Sequence, residues 1–162
     1  MATLAAFKGL SIGSCLVAGG ALSAVSVVTI PALLSAPYTV APRQFRIAIQ
    51  RTQYGAPYFA ASALLHGLVA YRLHSLGSRA WGRWAAAAAL VATVIPWSAA
   101  VLHPVTERLL GIAGTQTHRE GGTEVGTTTE ALLRKWSSLN AARSLLALAA
   151  GSVGLWALLD EA

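Results

Sequence analysis

The stretch Gly9-Leu-Ser-Ile-Gly-Ser-Cys-Leu-Val-Ala-Gly-Gly-Ala-Leu-Ser-Ala-Val-Ser-Val-Val-Thr-Ile-Pro-Ala-Leu-Leu34 decides the fold. It carries no Asp, Glu, Lys, Arg or His. About 18 apolar residues in a row are enough to call for a bilayer as solvent. Lys8 in front of the run imitates a secretory leader. The apolar core of a leader is only about 7–15 residues long, however, so this run is expected to stay as a helix. Pro31 is expected to kink or end it. Outward from this run the same character returns at 57–76, 80–102 and 131–159.

Composition agrees. Of 162 residues, 55% are hydrophobic and 11% charged, against about 25% charged in an ordinary soluble domain. That excludes a disordered tail, a nucleic-acid-binding arm and a water-soluble enzyme. The expected fold is all-α: one membrane-embedded four-helix bundle over residues 1–162, antiparallel, with both termini on one side. The connection 35–57 holds Pro37 and Pro42, then Arg43-Gln-Phe-Arg-Ile-Ala-Ile-Gln-Arg-Thr. There Phe45, Ile47 and Ile49 alternate with polar residues, so helix and strand both fit. An interfacial amphipathic helix on the bilayer is the expectation. Residues 103–130 read as one long polar loop, its core 114–129 rich in Thr, Gly and charge without a period.

The net charge is +6. Arg43, Arg46, Arg51, Arg72, Arg79, Arg83, Arg134 and Lys135 fall between the apolar runs, where headgroups and not nucleic acid are the natural partners. Orientation stays open, because the two sides carry similar basic totals. Cys15 is the single cysteine, so no intramolecular disulfide or thiol-rich metal site can form. Gly9 and Gly13 permit a homodimer without requiring one.

Polar groups at membrane depth are costly and point to function. Trp136, Asn140 and Arg143 are spaced four and three residues apart, on one helical face. Counting from residue 131, Arg143 lies roughly 12–18 Å below the long-loop surface. It either serves a wet cavity or hydrogen-bonds carbonyls of helices broken near Pro31 or Pro96. His66, about nine residues past Pro57, is placed at a similar depth, sharing a polar layer with Asn140 and Arg143. It is either a helix–helix hydrogen-bond partner or a proton-transfer group. Ser26, Thr29, Trp97 and Ser98 reach comparable levels. His103 stands at the mouth, His74 at an interface and His118 in the polar loop. His66 and His74 are too far apart to share an ion, and no phosphate loop or dinucleotide fingerprint is present.

Two elements resemble the anthrone oxygenases, small membrane proteins of fungal polyketide pathways within a larger four-span superfamily. One is Trp136, Asn140 and Arg143, followed by Gly151, Gly154 and Leu155. The other is Pro104-Val-Thr-Glu-Arg-Leu109, with Thr106 where the family has Asn. Pro31, Tyr54-Gly55 and Pro57 are similar as well.

The resemblance implies a monooxygenase of secondary metabolism that converts an anthrone to an anthraquinone. O2 is the co-substrate, with no metal and no other cofactor. His66 is the implied base and His103 the second choice. Asn140 and Arg143 would hold the ketone oxygen as it gains charge, and Trp136 would stack on the ring system. Trp97, Thr106 and Tyr54 complete the substrate-binding set. A polycyclic aromatic substrate, the lipid bilayer and an endoplasmic reticulum location follow from the same resemblance. The rival readings are a non-catalytic accessory or scaffold protein, a small transporter or channel, and a haem or quinone redox protein. The apolar half of the last span, 144–159, argues against a channel.

Overall fold

A computed structural model of the chain describes residues 2–37, 39–51, 55–115 and 123–161; every regular element among them is helical. The elements are α1 (Ala2–Ala24), a five-residue π-helical turn (Val25–Thr29), α2 (Ile30–Ser35), α3 (Ala41–Arg51), α4 (Gly55–Ser75), α5 (Trp81–Trp97), a second π-helical turn (Ser98–Leu102), α6 (His103–Thr115) and α7 (Thr123–Leu159). Stretches Thr3–Ser35, Trp81–Gly114 and Gly126–Leu159 are each long and apolar enough to cross a membrane. This is an integral membrane protein.

Neighbouring helices run antiparallel. Along α1 and α7, Lys8 meets Glu161, Gly19 meets Leu148, and Ser26 meets Ser137. Along α5 and α7, Trp84 meets Glu161 and Ser98 meets Arg143. α4 packs between α1 and α5, where Ser62 touches Ser14 and His66 touches Trp84. Side chains alternate in size at these contacts. Cys15, Val91 and Ala150 form one buried layer, and Phe59, Val94 and Ala147 another.

Neither Pro31 nor Pro104 ends its helix, and Pro96 lies inside α5. In both cases a π-helical turn closes one residue before the proline: Ile30 N–H reaches Val25 O ahead of Pro31, and His103 N–H reaches Ser98 O ahead of Pro104. Each proline then falls in the first turn of the following helix, where its missing N–H costs nothing. The chain therefore stays helical through both sites. This also corrects the expected long polar loop on both sides of residues 116–122, which lie outside the described residues. Residues 103–115 continue the α5 direction as α6, and residues 123–130 are the first turns of α7. Val105, Leu109 and Ala113 of α6 are buried, an apolar period masked in the sequence by the polar residues between them. His118 lies outside the described residues.

At 1.5 Å per residue, each 33- or 34-residue apolar stretch is roughly 50 Å long, against a hydrocarbon core of about 30 Å. The surplus is at one end. At the other end, Lys8–Glu161 and Arg83–Asp160 ion pairs sit at the helix termini, beside Trp81 and Trp156. The opposite end carries α2, α3, α6 and the start of α7. There Phe45, Leu109, Leu133 and Trp136 share a buried cluster of their own. α3 is a helix and not a strand, so Phe45 is buried while Ile47 points out.

Gly19 on α1 and Gly151 on α7 allow these helices to touch; a Cβ at Gly151 would meet Leu16 Cδ2 at 2.8 Å. A Cβ at Gly19 would meet Leu148 Cγ at 2.7 Å and the Leu148 backbone N at 3.1 Å. Gly13 has nothing within 4 Å. Gly19→Val is expected to force these helices apart and cost about 1–3 kcal/mol. Gly13→Ala is expected to be silent. Thermal unfolding of the two purified variants in detergent checks this, at about 2–4 °C per kcal/mol for a chain of this size.

Candidate functional site

The third to fifth turns from the start of the α7 apolar stretch carry the site. Trp136, Asn140 and Arg143 do share a face. Asn140 is fully buried, and its Nδ2 donates to Leu22 O and to Ser26 Oγ, both at 2.8 Å. Its Oδ1 accepts from Arg143 Nη2 at 2.6 Å. The amide thus spends its two donors on α1 and the adjoining π turn, and its acceptor on the guanidinium. Arg143 Nη1 donates to Ser98 Oγ at 3.3 Å, while its buried Nε has no hydrogen-bond partner.

Both serine contacts come from π-helical turns. Ser26 is on the first and Ser98 on the second, and they meet α7 at Asn140 and Arg143, one turn apart. Each serine is itself held. Ser26 Oγ donates to Ser137 O at 3.2 Å, and Ser98 Oγ donates to Val94 O at 2.7 Å. Single π turns inside long helices recur at functional sites because they displace one residue from the regular ladder.

Trp136 is fixed just as firmly. Its Nε1 donates to Thr106 Oγ1 at 2.9 Å, and Thr106 in turn donates to Leu102 O at 3.0 Å. The Phe45 ring stands edge-on to the indole, with centroids 5.2 Å apart. Two cavities flank this wall. One, of about 210 Å³, is lined by Gly55, Phe59, Ser98, His103, Thr106 and others. The second, of about 220 Å³, lies against Leu22, Val25, Ile30, Phe45 and Asn140. Ile49, Trp136 and Arg143 belong to both. A cationic fork between two apolar hollows can grip an oxygen carried by a flat apolar ligand.

His103 lines the first cavity, exposed at its rim with Nδ1 3.8 Å from Glu107 Oε1. His66 does not join this site, contrary to the expected shared layer. It is fully buried beside Trp84, 5.8 Å between centroids, and close to Gly154. Gly154 lies eleven residues beyond Arg143 on α7, roughly 16 Å along the axis. The reason is where α4 begins. Gly55 and Phe59 are already level with Arg143, because α3 occupies the end of the bundle above them. Counting inward from Pro57 therefore starts at Arg143 and not at the surface.

Trp97 also stands apart from both cavities, its Nε1 donating to Leu139 O at 3.3 Å to tie α5 to α7. Tyr54 lies outside the described residues. Among the described residues no three His, Cys, Asp or Glu side chains gather as a metal site. The sequence reading missed Phe45 and Ile49 as site residues. Their i, i+4 spacing was the available signal. Truncating Asn140 to Ala leaves Arg143 Nη2 without its acceptor. The expected cost is about 2 kcal/mol or more, read as a lower thermal midpoint, with Asn140→Gln recovering only part of it.

A family model described as "Anthrone oxygenase" matches residues 45–153, about two thirds of the chain, from α3 to near the end of α7. No curated protein and no solved structure matches it. The matched segment contains Trp136, Asn140 and Arg143 and the cavities' α3 wall, and the chain belongs to the anthrone oxygenase family.

Proposed function

We propose that this protein oxidises an anthrone, or a closely related polycyclic phenol, to the quinone with O2, using the Arg143 cavities as its site. The observation that carries the reading is the guanidinium itself: an Arg at membrane depth, tethered by Asn140 and Ser98 and opening on two apolar hollows beside Trp136. Each hollow is smaller than the roughly 300–1,000 Å³ of a typical small-molecule site. A three-ring ligand would span both by displacing the Ile49 side chain that they share.

The chemistry asked of the protein is limited. The methylene opposite an anthrone's ketone is acidic because its carbanion is an aryl oxyanion in another resonance form. A base takes one proton. The carbanion transfers an electron to O2 and the resulting pair joins as a carbon–oxygen bond, giving a hydroperoxide once protonated. Loss of the second C–H proton breaks the O–O bond and releases water. One oxygen atom stays in the quinone and one leaves as water, so the methylene supplies all four electrons. Arg143 and Asn140 steady the oxygen on which charge collects. We assign the base to His103, which lines a cavity with Arg143, rather than to His66. Apolar walls suit both reactants, since anthrones and O2 partition into hydrocarbon.

α4, 21 residues or roughly 31 Å long and antiparallel to its neighbours, serves as the fourth membrane span in this reading. α3, with Phe45 turned inward and Arg43, Gln44 and Ile47 outward, lies over the site at the bilayer surface. The endoplasmic reticulum is the proposed membrane, and the protein works without a metal or organic cofactor. The second reading, an accessory protein, draws on the same hydrogen bonds, which also hold the bundle together.

Purified protein in detergent, given emodin anthrone without added cofactor, is expected to consume one O2 per quinone formed and to exceed the autoxidation rate. Arg143→Ala is expected to return to that rate. His103→Ala should lose most of the enhancement, about 10²-fold or more if it is the base, while His66→Gln keeps it. Equal rates for wild type, Arg143→Ala and the enzyme-free control would reject the oxygenase reading.

A further inference from the structure

The charge balance around Arg143 leaves one role open. Four acidic side chains are described: Glu130 lies on Arg134, Asp160 on Arg83 and Glu161 on Lys8, while Glu107 stands at the rim near His103. Among the described residues no carboxylate lines either cavity. The groups that meet the guanidinium, Asn140 and Ser98, are neutral. From the remaining elements the cavities present Leu22 and Val25, Ile49, Phe59, and Thr106 with His103. His103 is thus the one other titratable side chain lining them among the described residues, and it cannot supply negative charge. A guanidinium in low dielectric normally has a counter-ion, because an unpaired charge there costs several kcal/mol. Here the described residues supply hydrogen bonds but no anion, and one buried N–H of the same group has no partner among them.

We infer that the missing counter-ion is the ligand: the site binds an aryl oxyanion, a polycyclic phenol already ionised in its resting complex, before any bond to oxygen forms. Aromatic side chains Trp136, Phe45 and Phe59 in the cavity walls favour an aryl oxyanion over a lipid phosphate. The consequence is a substrate rule. Phenols bearing a hydroxyl beside or conjugated with the carbonyl bind; O-methylated counterparts of the same shape do not. The hydroxyquinone product, a stronger acid than its precursor, binds as well and competes with it. This inference rests on the proposed use of the Arg143 cavities for a polycyclic ligand, and not on the oxidation itself.

Alizarin reports its own ionisation by turning from yellow to red-violet. The test titrates it into the full-length protein in nanodiscs of zwitterionic lipid, below the pH at which it ionises in empty discs. The expected result is a saturable red-violet species, with the anion fraction at least about 10-fold above that in empty discs. Arg143→Lys should keep the colour and Arg143→Met should lose it; circular dichroism shows that both are folded. Should Arg143→Met fail to fold, the di-O-methyl ether of alizarin takes its place as an isosteric competitor, expected not to displace the dye. Dye that binds but stays yellow overturns the inference. So does an unchanged colour in folded Arg143→Met, displacement by the ether, or no binding. Displacement by nanodiscs rich in phosphatidylglycerol would assign the anion site to lipid phosphate and overturn the aryl assignment. A red-violet complex in a protein that does not oxidise emodin anthrone would support this inference while rejecting the oxygenase reading.

Discussion

Everything at the α3 end of this bundle is arranged around one constraint: a guanidinium on α7 has to be kept in an apolar helix bundle. Arg143 is one turn below Asn140 and two turns below Trp136 on the same face, and it lines the cavity at whose rim His103 is exposed. The solution is a chain of neutral hydrogen bonds. Asn140 accepts from Arg143 and donates to α1, Ser98 accepts from Arg143, and Ser26 accepts from Asn140. Remove the amide and three helices lose their common point. Counted from the ion pairs at Asp160 and Glu161, a hydrocarbon core of about 30 Å ends near residue 139 or 140 on α7. Arg143 then lies about one turn inside that boundary, shallower than a count from residue 131 suggests.

The two π-helical turns follow from the same constraint. A regular helix carrying Pro31 or Pro104 would clash with the carbonyl four residues back. Widening the preceding turn relieves the clash and rotates the helix that follows. The two turns also hold Ser26 against Asn140 and Ser98 against Arg143. The prolines and the serines are therefore parts of one local device. Thr106 extends it. One turn beyond the second π turn, it uses its hydroxyl both to accept from Trp136 and to donate to Leu102 O. Its hydroxyl satisfies the indole N–H.

Periodicity and length made the helical character, the apolar stretches and the Trp136–Asn140–Arg143 face legible. These depend on local spacing, which a sequence displays. What depended on the third dimension was not legible. The depth of His66 was misjudged because it hangs on where α4 starts relative to α7, and α3 decides that by filling the space above Gly55. The expected loop at 103–130 was misread because its buried residues Val105, Leu109 and Ala113 sit among Pro, Thr, Glu, Arg and Gly. A helix that packs only one narrow face has too few apolar positions to announce itself. Phe45 and Ile49 were seen as apolar but not as part of the site, since the same three residues, with Ile47, satisfy a strand period as well as half a helical one.

The position of His66 separates two kinds of buried polar group. Its Nδ1 donates to Ser62 O at 2.9 Å, one turn back on its own helix, which fixes the proton on that nitrogen. Nε2 is then a bare acceptor, buried against Gly154 and without a hydrogen-bond partner. Around it Ser62 touches Ser14 and Cys15, and Trp84 donates to Glu161 at 3.0 Å. These contacts join α1, α4, α5 and α7 near the end with the termini, and none of the cavities beside Arg143 reaches them. An imidazole so placed can lock helices together but cannot reach a ligand held at Arg143 without a relay over roughly 16 Å. The bundle thus divides its work by depth, with packing and ion pairs fixing the terminal half. Bound oxygen chemistry, if it is to use a side-chain base, has to take it from the other half, where His103 stands at the rim.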